Sequence, residues 1–303
     1  MFIVNNRKLF FTLSILLVVG SFLSIYVYGL NFGIDFKGGS ILEVSYAENR
    51  LDTEEIKTEL NKLNLGSYIL TPFGEKSFIL RAKEITPAEK TTVLNVFSKN
   101  NLVQITEERF NSVGPTVGSE LKNKAYLAII IVIICIVLFI TFAFRKVSFP
   151  VSSWKYGLST IIALAHDVII PTGIYVAWAH YRGGEIDLLF VTALLAILGY
   201  SVHDTIVVFD RVRENLRLVH DTRAKETFIE TVGKSVTQTF GRSINTSLTI
   251  FLALIALYFI GGEATRNFAF VLLIGVVAGT YSSIFIASTL LVTLEKLQSK
   301  NNR

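Results

Sequence analysis

Five ionisable residues stand inside stretches otherwise built from Leu, Ile, Val, Phe and Ala: His166, Asp167, His203, Asp204 and Arg242. A charge in hydrocarbon is costly, so such residues mark ion pathways, proton relays or buried pairs that set helix register. Asp204 and Arg242 stand at matching depth. Counted from the ends of their apolar segments at ~1.5 Å per residue, they lie about 9 Å and about 8 Å inside. A carboxylate beside a guanidinium stays ionised, whereas one desolvated without that partner holds a proton. A movement that joins and parts them would load and unload a proton. A static ion pair that fixes helix register accounts for the same two residues.

The neighbours of these residues form stripes. Gln238, Arg242, Asn245, Thr246 and Thr249 fall on one face of a helix, and Ser201, Asp204 and Thr205 on one face of another. Facing lipid would leave their hydrogen bonds unmet, so the stripes are expected to turn toward each other or toward water. Asp167 lies four residues before Pro171, where a polar group satisfies carbonyls freed by the proline; a part in the relay is the second reading. His166 and His203 each adjoin an Asp, but neighbouring helical residues point about 100° apart, so no joint role is assigned. Gly275, Gly279 and Ser283, at steps of four, read as a close helix-packing seam.

The elements that must hold these residues follow from composition. The chain has 303 residues, 51% hydrophobic and 17% charged, with a mean hydropathy of +0.52. That marks a membrane protein. A single cysteine, Cys135, excludes disulfide staples and Cys-based metal sites, and no metal or cofactor is expected. Six stretches are apolar over the roughly 20 residues that a bilayer-spanning helix needs: 9–29, 125–144, 156–179, 187–210, 237–260 and 268–293. The basic residues Arg7, Lys8, Arg145, Lys146, Lys155, those from Arg211 to Lys234, and Lys296, Lys300 and Arg303 fall at alternate ends of the spans. The positive-inside rule then puts both termini, the basic loop 211–236 and the tail 296–303 in the cytoplasm, with 30–122 outside. The loop is amphipathic enough to lie on the inner surface, so its charge does not call for nucleic acid.

Within 30–122, SILEVSY alternates as a strand and DTEEIKTELNKLN follows a helical period. YILTPFGEKSFILRA reads as two strands around a turn, TPAEKTTVLNVFSKN as a helix with Thr86 as N-cap and Pro87 next, and LVQITEERF as a last strand. The βαββαβ order predicts a small ferredoxin-like α+β sandwich between the first span (1–29) and a five-helix membrane domain (123–295).

Several blocks then resemble one family. FGIDFKGGS, VGPTVGSEL, AHDVII, GYSVHDTIVVFDRVREN and GRSINTSLT, in order over residues 1 to about 295, are similar to signature blocks of the SecF family of export-complex membrane subunits. The resemblance implies a six-helix half of the RND transporter superfamily that pairs with a separate SecD-like chain. It implies work with the SecYEG channel, YajC and the SecA motor on exported preproteins at the bacterial inner membrane, driven by the proton-motive force. It places Asp204 and Arg242 on the family's proton path. Asp35, Gly38 and Gly39, in the FGIDFKGGS block, then mark a junction whose glycines allow a turn, a hinge or packing role.

Three other functions compete. An intramembrane aspartyl protease would use Asp167 and Asp204 as a pair sharing a proton, but YSVHD lacks the GxGD context of those enzymes, and an enzyme is not expected. An RND exporter of small molecules or lipids usually has twelve helices and two outer insertions. A scaffold that stabilises the SecD-like chain without moving protons is the third.

Overall fold

The computed structural model describes residues 2–63, 65–144 and 152–301; Arg145, Lys146, Arg303 and the side chain of Lys300 lie outside the described residues. Its elements run α1 (Phe2–Asn5), α2 (Arg7–Tyr28), α3 (Ile34–Lys37), β1 (Gly39–Tyr46), α4 (Thr53–Asn61), β2 (Tyr68–Phe73), β3 (Ser77–Ala82), α5 (Pro87–Phe97), β4 (Ile105–Val113), α6 (Pro115–Ala143), α7 (Ser153–Arg182), α8 (Leu188–Thr222), α9 (Phe228–Ile260), α10 (Glu263–Tyr281), a π-helical turn (Ser282–Ala287) and α11 (Ser288–Asn301). They form two compact units, Phe32–Tyr126 and the remainder.

In the Phe32–Tyr126 unit, the βαββαβ order closes an antiparallel sheet in the order β2-β3-β1-β4, the ferredoxin-like arrangement. Alternation along β1 sends Leu42, Val44 and Tyr46 to one face. There, with Phe78 and Leu80 of β3, they meet Ile56 and Leu60 of α4 and Val93 and Phe97 of α5. This is how a period of 2 and a period of 3.6 share one core. Both helices start at side-chain caps. Asp52 accepts the N–H of Glu55 at 3.3 Å, and Thr86 forms a capping box with Glu89, with Pro87 at the first helical position. The Thr86 N–H and hydroxyl hold the Glu89 carboxyl below the usual carboxylate range. Pro72 lies on β2, an edge strand, where its missing N–H costs no ladder bond.

The junction glycines are needed for room and for conformation. Gly38 and Gly39 have φ of 77° and 130°. A Cβ on Gly38 would lie 2.7 Å from Cα of Pro115, and one on Gly39 2.8 Å from the carbonyl oxygen of Ala82. Asp35 sits in the first turn of the short α3.

The other unit carries most of the spanning helices. Among the described residues six helices are long and apolar enough to cross a membrane: α2, α6, α7, α8, α9 and the run from α10 through α11. α7, α8 and the α10–α11 run are buried over more than half their apolar windows, whereas α2, α6 and α9 leave most of theirs exposed. Small residues set the close approaches. A Cβ on Gly173 of α7 would fall 2.3 Å from Cβ of Ser21 on α2, and one on Gly275 of α10 would fall 2.2 Å from Ile197 of α8. Gly279 faces Ser201, 3.1 Å from its Cβ by the same construction.

Two sequence expectations change. The segment 211–236 is largely helical and not a loop: α8 continues to Thr222 and α9 begins at Phe228. No Gly or Pro interrupts α8 there. Ion pairs Asp210–Arg213 and Arg211–Glu214 at (i, i+3) support it, and buried Val212 packs in one core with Val232 and Val236 of α9. Arg223 ends α8 in the left-handed region, φ 52°. A Thr227–Glu230 capping box then starts α9. The last span, expected as one helix over 268–293, is one continuous run, Thr265–Leu297, but it carries the π-helical turn within it.

Candidate functional site

α8 is the axis of the buried polar site. Ser201 and Asp204 are one turn apart on it and both are buried. The Asp204 carboxylate accepts the hydroxyl of Ser243 on α9 through Oδ1 at 2.6 Å, and that of Ser283 through Oδ2. Asp167, on α7 and fully buried, accepts the hydroxyl of Ser282 through Oδ2 at 2.6 Å and that of Ser201 through the same oxygen. Its Oδ1 lies 2.9 Å from Nδ1 of His166. Consecutive residues of the π-helical turn therefore hold two different carboxyls: Ser282 that of α7, Ser283 that of α8. Departures from α-geometry of this kind recur at functional sites.

A small-hydroxyl ladder runs beside the carboxyls. Tyr200 of α8 meets Ser247 of α9 at 2.6 Å, and Ser247 meets Thr280 of α10 at 2.6 Å. Ser283 also reaches the carbonyl oxygen of Thr280 at 3.0 Å.

The expected meeting of Asp204 with Arg242 does not occur: no hydrogen bond or ion pair joins them, and Arg242 is exposed. The buried face of α9 is Ser235, Thr239, Ser243 and Ser247, at steps of four. It lies one residue round from the stripe of larger polar side chains. Ser235, Thr239 and Ser247 each donate back to the carbonyl four residues earlier. Such residues pass through a tightly packed membrane interior at little cost, which the long Arg242 cannot. Of the expected stripe, Arg242, Asn245 and Thr249 are exposed and Thr246 is half-buried, donating to the Arg242 carbonyl oxygen. Gln238 is held at the far end of α9, accepting Arg211 at 2.7 Å and Asn215 at 2.8 Å. Thr205 is buried beside Asp204.

The histidines part company. His203 is exposed. His166, set aside because adjacent helical residues diverge, nevertheless reaches Asp167, since a side chain with two torsions spans the angle between neighbouring Cβ atoms. Asp167 does more than serve the carbonyls near Pro171. Ser243 and Ser282 carried no signal in the sequence beyond being small and polar, and Ser283 counted only as a packing residue. No hydrogen bond joins Asp167 to Asp204, so the shared-proton pair of an aspartyl protease is not formed.

The chemistry available follows from the partners. Neither carboxyl is paired with a guanidinium or ammonium group among the described residues. A serine hydroxyl donates to a carboxylate and accepts from a carboxylic acid, so each site can be hydrogen-bonded with or without a proton. Six helices apolar enough to cross a membrane, with two carboxyls buried among α7, α8, α9 and the π-helical turn and held by serine hydroxyls, define a multi-pass membrane protein with ionisable groups in its interior.

Comparison with known proteins narrows that class. Residues 93–297 match the family "Protein export membrane protein SecD/SecF, C-terminal", and 23–49, which include Asp35, Gly38 and Gly39, match the "SecD/SecF GG Motif". The chain is 41% identical to the protein translocase subunit SecF of Thermobaculum terrenum, over 97% of this chain and 93% of that one. It is 37% identical to SecF of Anaerolinea thermophila, over 99% and 96%. Among solved structures it is similar to SecDF, a translocon-associated membrane protein from Thermus thermophilus, with TM-score 0.80 and 30% identity over 97% of this chain. It spans 38% of that SecDF chain. The chain belongs to the SecF family of protein translocase subunits.

Proposed function

We propose that this chain is the SecF half of a two-chain complex that assists protein export by coupling it to a proton gradient across the bacterial cytoplasmic membrane. The observation that carries the coupling is the hydroxyl cage around Asp204, which accommodates a carboxyl in either protonation state without a competing cation. Asp204 is the proton carrier, and Asp167 is linked to it through Ser282 and Ser283.

Arg242 enters from the other side. An arginine, an asparagine and a threonine in line on an exposed face of a spanning helix cannot be left to lipid. A second membrane chain covers this face of α9 and supplies partners for it. The solved relative is named SecDF, and a SecD-like chain is the occupant that fits. By the alternation of basic clusters the termini and the α8–α9 hairpin end are cytoplasmic and Phe32–Tyr126 is extracytoplasmic. SecYEG, SecA, YajC and the exported preprotein are the remaining partners in this reading.

The test is proton flux and preprotein export in proteoliposomes holding the channel, this chain and its SecD-like partner. Asp204→Asn stops flux and the gradient-dependent part of export. Arg242→Met lowers both only when the partner is present. Normal flux and export in both variants would leave the chain a scaffold.

A further inference from the structure

One buried group has no task in that scheme. The His166 ring is almost wholly buried, with Nδ1 on Asp167 at 2.9 Å and Nε2 without any hydrogen-bond partner. It stacks on Tyr281 of α10, centroids 5.9 Å apart and planes at 17°. Tyr281 does not serve Nε2. Its hydroxyl donates to the carbonyl oxygen of Phe10 on α2 at 2.9 Å, and Ser14 of α2 stands 3.5 Å from it. Asp167 and Tyr281 are the titratable groups shown touching the ring, from α7 and α10.

We propose that His166 is a second proton-handling residue of the membrane domain, exchanging a proton with water at Nε2 and with Asp167 at Nδ1. It rests on the proton-coupled reading of Asp204 given above. The tautomer follows from the partners. Oδ1 of Asp167 is an acceptor while Oδ2 is occupied by two hydroxyls, so Nδ1 carries the hydrogen and the neutral ring keeps a bare lone pair at Nε2. A buried ring nitrogen left without a protein partner calls for an explanation, and in this proposal it is a water reaching Nε2 that delivers the proton.

The step balances within the site. A hydronium ion gives its proton to Nε2, leaving water and an imidazolium. The Nδ1 proton then passes to Oδ1 of Asp167, leaving a neutral ring with its hydrogen on Nε2 and a neutral carboxyl. The reverse sequence returns the proton. When Asp167 is neutral, its hold on the Ser282 hydroxyl slackens. Ser282 is bonded through one peptide unit to Ser283, which holds Asp204, so the state of one carboxyl is felt at the other through the π-helical turn.

The competing explanation is that His166 only orients Asp167. His166→Asn distinguishes them, because the Asn amide places a donor near the position of Nδ1 and nothing at Nε2. Proton flux is measured in proteoliposomes of the full chain with its SecD-like partner and the channel, with thermal unfolding of the same complex as control. The expected result is unfolding unchanged and flux down about a hundredfold, the lower range of what a positioned acid–base group contributes. Flux near that of the unsubstituted protein in His166→Asn, with loss only in His166→Phe, makes His166 a structural residue and overturns the proposal. Asp204→Asn in parallel separates the two levels, since normal flux there overturns the proton-coupled reading itself. If the Asn variant does not assemble, the chain with His180, His203 and His220 replaced by Gln and ring-labelled with ¹⁵N carries the test. Its Nε2 signal changes between bare and protonated as the buffer is taken from alkaline to acidic, and a signal that stays fixed overturns the proposal.

Discussion

The Phe32–Tyr126 sandwich and the helical bundle place their polar side chains in opposite places. In the sandwich the core is Leu42, Val44, Phe78, Leu80 and Phe97. Its Thr, Asp and Glu work at the rim, where Asp52, Thr86 and Glu89 close helix N-termini. In the bundle, Leu, Ile and Phe cover the outside of α2, α6 and α9, while Asp167, Ser201, Asp204, Ser243, Ser282 and Ser283 are buried alongside an apolar core that includes Phe144, Phe209 and Val236. The difference is the solvent. Water drives apolar surface inward and satisfies polar groups at the rim. Hydrocarbon gives an apolar side chain no reason to leave the surface and a polar one every reason to. An apolar core therefore holds the sandwich together, whereas the bundle adds a buried hydroxyl and carboxyl network to its apolar core, and that network helps fix how its helices meet.

That contrast can be tested from both sides. The largest effect is expected in the sandwich. Phe78→Ala removes a fully buried ring that meets Tyr46 and Phe97 at centroid distances of 6.1 Å each, and it is expected to cost about 3–5 kcal/mol in denaturant unfolding of that unit within the full chain. A cost under 1 kcal/mol would mean that the apolar core is not what holds it. In the bundle, Ser283→Ala strips Asp204 of one of its two hydroxyls without opening a large cavity, and about 1–3 kcal/mol is expected in thermal unfolding of the detergent-solubilised chain. No change would break the claim that polar contacts help fix the bundle.

The smallest effect lies at the sandwich rim. Thr86→Ala lowers the protection of α5 amides in hydrogen exchange. Because the cap holds the Glu89 carboxyl below its usual range, the capping contribution is present above the ordinary Glu value and is lost as pH falls through the lowered folded value. The difference between Thr86→Ala and the unsubstituted chain should therefore be full at neutral pH and shrink in acid. A difference that grows in acid would reverse the assignment.

The parts of the fold legible in the sequence are those that depend on local pattern. Hydropathy marks the spans because a helix must hide its backbone from lipid over a known length. The βαββαβ order shows in the two periods, and the Thr86 start of α5 in its capping box. The extension of α8 to Thr222 was obscured because charge density there reads as loop, although (i, i+3) ion pairs suit a helix equally well. The site was legible in its charges and not in its partners. Asp204 stands out in an apolar helix, but Ser243 is hidden beside the more conspicuous Arg242, and His166 behind the rule that adjacent residues diverge.

By itself, the amino-acid order determined that this chain spans a membrane six times, that a small α+β sandwich interrupts the series, and that carboxyls enter the apolar interior. Only the tertiary structure decided which face of α9 is inside, that Ser282 and Ser283 reach two different helices, and that His166 meets Asp167. Periodicity tells which residues share a face of a helix, but which face turns inward depends on the neighbours. In a membrane interior those neighbours choose the small hydroxyl that can also bond its own backbone over the long charged side chain that cannot fit.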